Sequence, residues 1–186
     1  MAALFLAVLY TAQYLGHPSL PGNNVQNPAG WWSWFDQSNY LKSATALAHG
    51  DLTPDQHHYP LGYALAGAPF MWVSSVHPFF FVDLISLLLS LTAFVSVARY
   101  CGVESRWSSL LFVLAVAADP VLFEQWVVPW TTTPIAAAVW LLLAVAASHM
   151  AGQRRPFLLG LIAVCLPILR PSDLLLAAPP DRKSVV

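Results

Sequence analysis

A polar stretch between apolar segments carries the side chains best suited to chemistry. It runs from residue 31 to residue 63 and reads WWSWFDQSNYLKSATALAHGDLTPDQHHYPLGY. Carboxylates can take protons from hydroxyl groups, and histidine and tyrosine side chains can orient hydroxyl or phosphate groups. The stretch contains all of these types: Asp36, Asp51, Asp55, His57, His58 and Tyr59. We therefore expect any reaction of this protein to take place there, at a membrane surface.

Composition indicates the class of protein that must position these residues. Hydrophobic residues make up 58% of the 186 residues and charged residues only 9%, and the mean hydropathy is +0.61. These values predict an all-α, polytopic transmembrane helical bundle. The net charge of −1 provides no basic face, so no nucleic-acid partner is expected. Cys101 and Cys165 lack the spacing of metal ligands and are interpreted as packing residues.

Five apolar stretches approach the length that a bilayer core requires, which is about 20 helical residues. Residues 61–76 form a sixth, but Gly62, Gly67 and Pro69 interrupt it, so we predict an interfacial or re-entrant segment. The first stretch also has features of a secretory signal, yet it lacks the basic residues of one, and a first membrane helix is favoured. The five predicted spans are residues 1–15, 78–97, 107–123, 134–150 and 157–169.

Basic residues predict the orientation of these spans, because positively charged short loops stay in the cytoplasm. Four arginines fall in two turns, Arg99 and Arg106 between the second and third spans and Arg154 and Arg155 between the fourth and fifth, so these turns are predicted to lie inside. The loop 16–77 has only Lys42 as a base, and the short segment 124–133 has none, so both are predicted to lie outside. The predicted location is therefore the cell membrane, with several passes. The outer surface would then gather Trp31, Trp32, Trp34, Trp126 and Trp130.

Helical periodicity begins at Asp36, and Gly50 stands where a glycine commonly ends a helix. The pattern predicts a short amphipathic helix lying on the membrane. Asp36 at its front has two open interpretations, a cap of the helix N-terminus or a catalytic group. The apolar positions of the pattern are Tyr40, Leu41, Ala44, Leu47 and Ala48.

A second start signal follows at Thr53, with proline at the first helical position and glutamine three residues after the cap. Pro60 ends this turn, so the three residues before it, His57, His58 and Tyr59, are predicted to occupy a rigid bend. The two histidines are either solvated loop residues or ligand-binding groups. Adjacent histidines rarely point at one ion, so no metal site is predicted.

Two further polar residues are candidates outside this loop. Glu124, in the short outer segment, is either a surface charge or a substrate-binding group. Arg170, at the end of the fifth span, is either an ordinary interfacial anchor or a functional cation.

The order of these motifs resembles the integral-membrane C-type glycosyltransferases, which take a sugar from a polyprenyl-phosphate carrier. The resemblance covers nearly the whole chain and corresponds to the amino-terminal portion of such an enzyme. Its elements are D-x-x-x-Y-L-x-x-A-x-x-L-x-x-G, then H-Y-P-x-G-Y, and a later L-R-P. In this sequence they stand at Asp36, Tyr40, Leu41, Ala44, Leu47 and Gly50, at His58, Tyr59, Pro60, Gly62 and Tyr63, and at Leu169, Arg170 and Pro171.

The resemblance implies a membrane glycosyltransferase that acts on the outer face with inversion. Asp36 would be the general base that deprotonates an acceptor hydroxyl, and Arg170 would contact the departing lipid phosphate. His57, His58 and Tyr59 would orient the phosphate or the acceptor. The implied partners are a polyprenyl-phosphate-linked sugar and membrane lipid. No cofactor is expected, since Gln37 and Ser38 replace the acidic motif of the metal-dependent members.

The last six residues, DRKSVV, correspond to what a widely used sequencing adaptor encodes in one frame. We therefore expect residues 1–180 to be the amino-terminal part of the enzyme's membrane domain and residues 181–186 to be non-native, in which case this fragment alone would be inactive. The alternative function is a transporter or a non-catalytic membrane subunit. Transporters commonly show repeated halves with ionisable groups in mid-membrane. This sequence has no visible internal repeat, which favours the enzyme.

Overall fold

A computed structural model describes residues 1–16, 23–25 and 30–173, and within these ranges the chain is all-helical and has no strand. The all-α prediction is confirmed. The α-helices are α1 (Ala2–Leu15), α2 (Phe35–Ala48), α3 (Leu61–Gly67), α4 (Phe79–Tyr100), α5 (Ser105–Ala117), α6 (Pro120–Val127), α7 (Thr132–Met150) and α8 (Pro156–Leu169). Short 3-10 turns occupy Pro54–Gln56, Ala68–Trp72 and Pro171–Asp173.

Helices α4 and α7 are long and apolar enough to cross a membrane. At 1.5 Å per residue they measure about 33 and 28 Å, close to the thickness of a hydrocarbon core. Helices α1 and α8 have 14 residues each, or about 21 Å, and are shorter than that core. By length and composition the described chain thus has two spanning helices, or three if α5 and α6 together form one.

The predicted third span, residues 107–123, is wrong as a single straight helix. The chain bends by 94° between α5 and α6. Asp119 causes this break, because its side chain accepts a hydrogen bond from the Val121 backbone N–H at 2.8 Å and Pro120 occupies the first helical position. A capping aspartate followed by proline is a strong helix-start signal, and it stands inside an apolar run.

Residues 61–76 do not form a span. They comprise α3 and the 3-10 turn Ala68–Trp72, which are too short to cross a bilayer. Gly67 lies against the ring of Phe79, where an added Cβ would come within 2.5 Å of a ring carbon. This contact seats α3 on the first turn of α4.

Two apolar clusters hold the bundle together. One joins α1 to α4, α5 and α6, and the other packs α2 and α3 on the start of α4. The first contains Leu6, Tyr10, Tyr14, Leu87, Leu91, Phe112, Val116, Phe123 and Val127. The second contains Trp32, Tyr40, Ala44, Tyr63, Ala64, Phe79 and Val82.

The polar loop and the arginine-bearing turns lie at opposite ends of the bundle. Helix α4 starts beside the loop and carries Arg99 in its last turn. Helix α8 starts after Arg155 and ends against α3. Two or three of the five predicted spans are long and apolar enough to cross a membrane, and the full topology and the side that faces out of the cell stay predictions.

Candidate functional site

Helix α2 is the platform of the site, and the predicted helix at this position is confirmed. Tyr40 and Ala44 are buried in the second apolar cluster, and Leu41 and Leu47 pack at its edge. Gly50, with φ of 74°, ends the helix. Its N–H donates to the Leu47 carbonyl while the N–H of the next residue reaches back to Ala46, which is the hydrogen-bond pattern of a Schellman motif.

Asp36 is not the cap of this helix, so the capping interpretation is wrong. The helix begins at Phe35, and its first N–H donates to the side-chain oxygen of Asn23 at 2.8 Å. Asp36 lies in the first turn, where a negative charge interacts favourably with the helix dipole. Its carboxylate is therefore available to accept a hydrogen bond from another side chain.

That side chain is Tyr59. The Tyr59 hydroxyl donates a hydrogen bond to the Asp36 carboxylate from the bend after the 3-10 turn Pro54–Gln56. Burial, followed by the hydrogen bond and the negative charge of Asp36, raises the pKa of Tyr59 to about 12. The phenol therefore stays protonated at neutral pH and remains a donor. The residue expected to act as a base is thus held by one of the residues expected to bind substrate.

The turn that carries Tyr59 starts differently from the prediction. The Thr53 side chain makes no capping hydrogen bond. Instead Asp51 accepts hydrogen bonds from the Thr53 N–H at 2.9 Å and from its hydroxyl at 2.6 Å. These hydrogen bonds lower the pKa of Asp51. The predicted proline start and the stop before Pro60 both hold, and the resulting turn is a single 3-10 turn.

His57 fastens this bend to α2. Its Nε2 lies 3.1 Å from the Asp51 carbonyl oxygen, which can only accept, so this nitrogen is the donor. Its Nδ1 lies 2.8 Å from the hydroxyl oxygen of buried Ser43. Both ring nitrogens are thus engaged with the protein, and His57 acts here as a tie between turn and helix.

His58 points away from His57. Its ring packs edge-on against Phe35 and against Tyr59, with centroids 5.5 and 4.8 Å apart. The three neighbouring residues of the bend therefore have different partners, and Tyr59 is the one that donates to Asp36.

Tyr40 lies at the centre of the site. Its ring lies 5.0 Å from that of Tyr59 and 5.1 Å from that of Tyr63. Burial raises the pKa of Tyr40, while a hydrogen bond with Thr131 and the positive charge of Arg170 oppose this rise. Thr131, at the start of α7, and Arg170, after α8, thus lie close to the same phenol.

Close packing of α8 on α3 brings Arg170 to this position. Gly62 lies so near the Ile168 backbone that an added Cβ would stand 2.7 Å from its carbonyl oxygen. Arg170 is the residue at which α8 ends, and its N–H donates to the Leu166 carbonyl at 2.8 Å. The fifth apolar segment therefore ends beside the polar loop, with its cation exposed.

An apolar cleft of about 370 Å³ runs along α3, α4 and α8 and reaches Leu169, the neighbour of Arg170. Its lining residues are Gly62, Ala66, Phe70, Val82, Ile85, Ser86, Pro134, Cys165, Ile168 and Leu169. An apolar cleft next to a cation can accommodate a molecule with an apolar chain and an anionic head group.

Glu124 does not lie in a loop as expected but in α6. It borders a cavity of about 280 Å³ between α6 and the start of α2, where Gln37, Trp31, Trp34 and Trp130 also line the wall. The structure thus brings Glu124 near Gln37, the residue that follows Asp36. The Gln37 side chain lies on a different face of α2 from that of Asp36. Three of the five tryptophans predicted to gather at the outer surface meet here.

The other polar groups of the site were not identified from the sequence. Thr131 carried no signal, since its contact with Tyr40 depends on how α7 packs. From the sequence, Gln37 was of interest only because it replaces part of the acidic motif of the metal-dependent glycosyltransferases. Among the described residues, no group of three or more His, Cys, Asp or Glu side chains is arranged to hold a metal ion.

Comparison of the chain with protein-family models, with curated proteins and with solved structures found no match.

Proposed function

We propose that this protein is the membrane domain, or part of it, of an inverting glycosyltransferase that uses a polyprenyl-phosphate-linked sugar. One observation carries the proposal: a carboxylate, Asp36, and a cation, Arg170, both lie within electrostatic range of the Tyr40 phenol, and Tyr59, which donates to Asp36, packs on the Tyr40 ring. A base and a phosphate-binding cation are the two charges that such a transfer requires.

In the proposed reaction the acceptor hydroxyl oxygen forms a bond to the anomeric carbon of the donor sugar. Asp36 takes the proton of that hydroxyl. The bond from the anomeric carbon to the phosphate oxygen breaks on the opposite face, and the electron pair leaves with the lipid phosphate. The phosphate needs no proton to depart, and Arg170 stabilises its charge.

The remaining residues have supporting roles in this proposal. Tyr59 orients the Asp36 carboxylate through its hydrogen bond. His57 holds the bend on which Tyr59 is mounted, and exposed His58 is left to face an incoming substrate. No step of this scheme requires a metal ion or another cofactor.

The apolar cleft beside Arg170 supports a lipid-linked donor. A polyprenyl chain bound in the cleft would have its phosphate at the Leu169 end, next in sequence to Arg170. The proposed location is the cell membrane, crossed several times, with the site on the outer face.

A buried carboxylate in α4 bears on the alternative function, a transporter. Asp83 is fully buried, as expected of an ion-coupling group. However, it stands near the start of α4, and the Tyr63 hydroxyl donates to it at 2.8 Å. This geometry suits the packing of α3 on α4, so the enzyme is favoured.

The proposal is tested with Asp36→Asn in the product of the complete natural gene, inserted in membranes. Asparagine keeps an oxygen that can accept from Tyr59 but cannot take a proton. We expect transfer of radiolabelled hexose from a polyprenyl-phosphate donor to fall by about 10²- to 10⁴-fold.

The matched control is Asp55→Asn, since Asp55 is exposed and its carboxylate accepts a hydrogen bond from neighbouring Gln56. We expect this variant to retain nearly full transfer. Near-normal transfer by a well-inserted Asp36→Asn protein would remove Asp36 as the base and, with it, the proposed mechanism.

A further inference from the structure

The cavity between α2 and α6 has a composition unlike that of the apolar cleft. Its volume is about 280 Å³, near the lower end of the range of about 300–1,000 Å³ that is usual for small-molecule sites. Two of its walls are the indoles of Trp34 and Trp130, which are 49% and 38% exposed. The cavity thus offers flat apolar surfaces of moderate extent.

The rest of the described lining includes polar side chains, none of which is positively charged. Gln37, from α2, and Glu124 and Gln125, from α6, supply two amides and one carboxylate. None of the described residues that line the cavity is basic. A phosphate or another anion would meet a carboxylate without a compensating cation, which disfavours anionic ligands.

Gln37 provides the second observation that points to a ligand. The residue is only 2% exposed, and its side-chain oxygen accepts no hydrogen bond within the described chain. A buried polar atom without a partner is costly, and native proteins rarely leave one without a reason. Gln37 also lines the cavity, and because the terminal torsion of glutamine is broad, rotation of the amide would offer its oxygen to a ligand bound there.

We infer that this cavity is a subsite for one neutral pyranose ring. A pyranose has faces of C–H groups, which suit the indoles, and a rim of hydroxyls, which both donate and accept hydrogen bonds. Gln37 and Gln125 can donate and accept, and Glu124 can accept. An acyl chain would leave these polar groups unpaired, and an anion would be repelled.

The inference deepens the proposed function and rests on it for the link to sugar transfer. Gln37 directly follows Asp36, and successive residues of a helix point about 100° apart. A ring in the cavity would therefore lie one residue away from the proposed base, on the adjoining face of α2. The bound ring belongs either to the donor or to the acceptor, and the two share the same chemistry.

The test is equilibrium binding, which does not depend on transfer. The chain is placed in lipid nanodiscs free of glycoside detergents, since these would compete. Saturation-transfer NMR is recorded with methyl α-mannopyranoside and methyl β-glucopyranoside, and with sorbitol and inorganic phosphate as controls. We expect saturable binding of at least one glycoside and none of the controls.

Two variants locate the binding. Gln37→Met keeps the length of the side chain and removes the unpartnered oxygen. We expect it to unfold at an unchanged or higher temperature and to bind the glycoside about tenfold more weakly, which corresponds to about 1.4 kcal/mol. Trp34→Ala should weaken binding similarly. The matched control is Trp72→Ala, because Trp72 is 82% exposed and lies outside the cavity.

Absence of saturable glycoside binding would overturn the inference, as would full affinity in Gln37→Met. Competition by a polyprenyl-phosphate hexose would assign the subsite to the donor sugar, and unchanged affinity in its presence would assign it to the acceptor. Glycoside binding by this chain, together with no transfer activity in the product of the complete natural gene, would reject the proposed function and keep the subsite.

Discussion

The Tyr59 phenol donates its hydrogen bond to the Asp36 carboxylate across 23 residues of sequence. This contact connects the first turn of α2 to the bend that precedes α3. Two further interactions hold Tyr59 in place. Its ring packs against Tyr40, and the His57 ring is hydrogen-bonded to the hydroxyl of Ser43 in α2. The proposed base is therefore oriented by a buried framework, although it lies at the surface of the bundle.

Tyr59→Phe tests this orientation. The variant keeps the ring contacts with Tyr40 and His58 and loses only the donor. We expect kcat for sugar transfer to fall by about 10- to 100-fold, because small displacements of a reacting group have effects of this size. The KM for the lipid-linked donor should change little. An unchanged kcat, or a loss confined to KM, would show that Tyr59 does not position the base.

Tyr59 also predicts a pH dependence. Burial and the hydrogen bond to Asp36 raise its pKa from 10.0 to about 12, so folding favours the protonated phenol. Its contribution to stability is therefore complete below pH 10 and is lost as the pH rises from 10 to about 12. The tyrosinate absorbance of the wild type minus that of Tyr59→Phe measures this titration.

In Asp36→Asn the midpoint of this titration should move down, because the negative charge is gone. It should not return fully to the ordinary value, since burial is the larger cause. A midpoint that is unaffected by Asp36→Asn would mean that the two side chains do not interact.

Gly62→Ala tests how α8 places Arg170. The new Cβ would stand 2.7 Å from the Ile168 carbonyl oxygen, and this backbone cannot move away without shifting the end of α8. We expect a loss of about 1–3 kcal/mol in the free energy of unfolding, together with reduced transfer. Thermal unfolding in nanodiscs measures the first effect.

Helix α8 itself offers a matched control in Gly160, where an added Cβ would have no neighbouring atom within 4 Å. Gly160→Ala should be neutral or stabilising by up to about 1 kcal/mol, since alanine favours helix. Equal effects of the two substitutions would show that the contact between α3 and α8 does not matter.

Membrane orientation is tested by cysteine labelling in a background without Cys101 and Cys165. Ser43 is unsuitable because it is buried and contacts His57, whereas Asp55 and Gln153 are exposed. In intact cells, a membrane-impermeant maleimide should label Asp55→Cys and leave Gln153→Cys unlabelled until the membrane is opened. Labelling of both positions from outside would contradict the topology.

Local sequence patterns were sufficient for the helical class and for α2. The hydrophobic composition indicates the helical class without reference to any contact, and the periodicity from Asp36 to Gly50 predicts a helix whose glycine end is observed. Of its predicted apolar positions only Tyr40 and Ala44 are buried. The structure buries three other residues of the helix as well, Gln37, Ser43 and Ala46. The bend at Asp119 was equally readable, since a capping aspartate and a proline are local signals. It was missed because hydropathy, which averages over a window, does not register a single capping pair.

Only the tertiary structure decided which of these residues meet. Asn23 took the capping role expected of Asp36, which left the carboxylate to Tyr59. Glu124 joined Gln37 through the bend before α6, and Arg170 reached Tyr40 through the contact of Gly62 with Ile168. Such contacts join helices far apart in the chain, and they depend on how side chains fit in three dimensions, which no local spacing encodes.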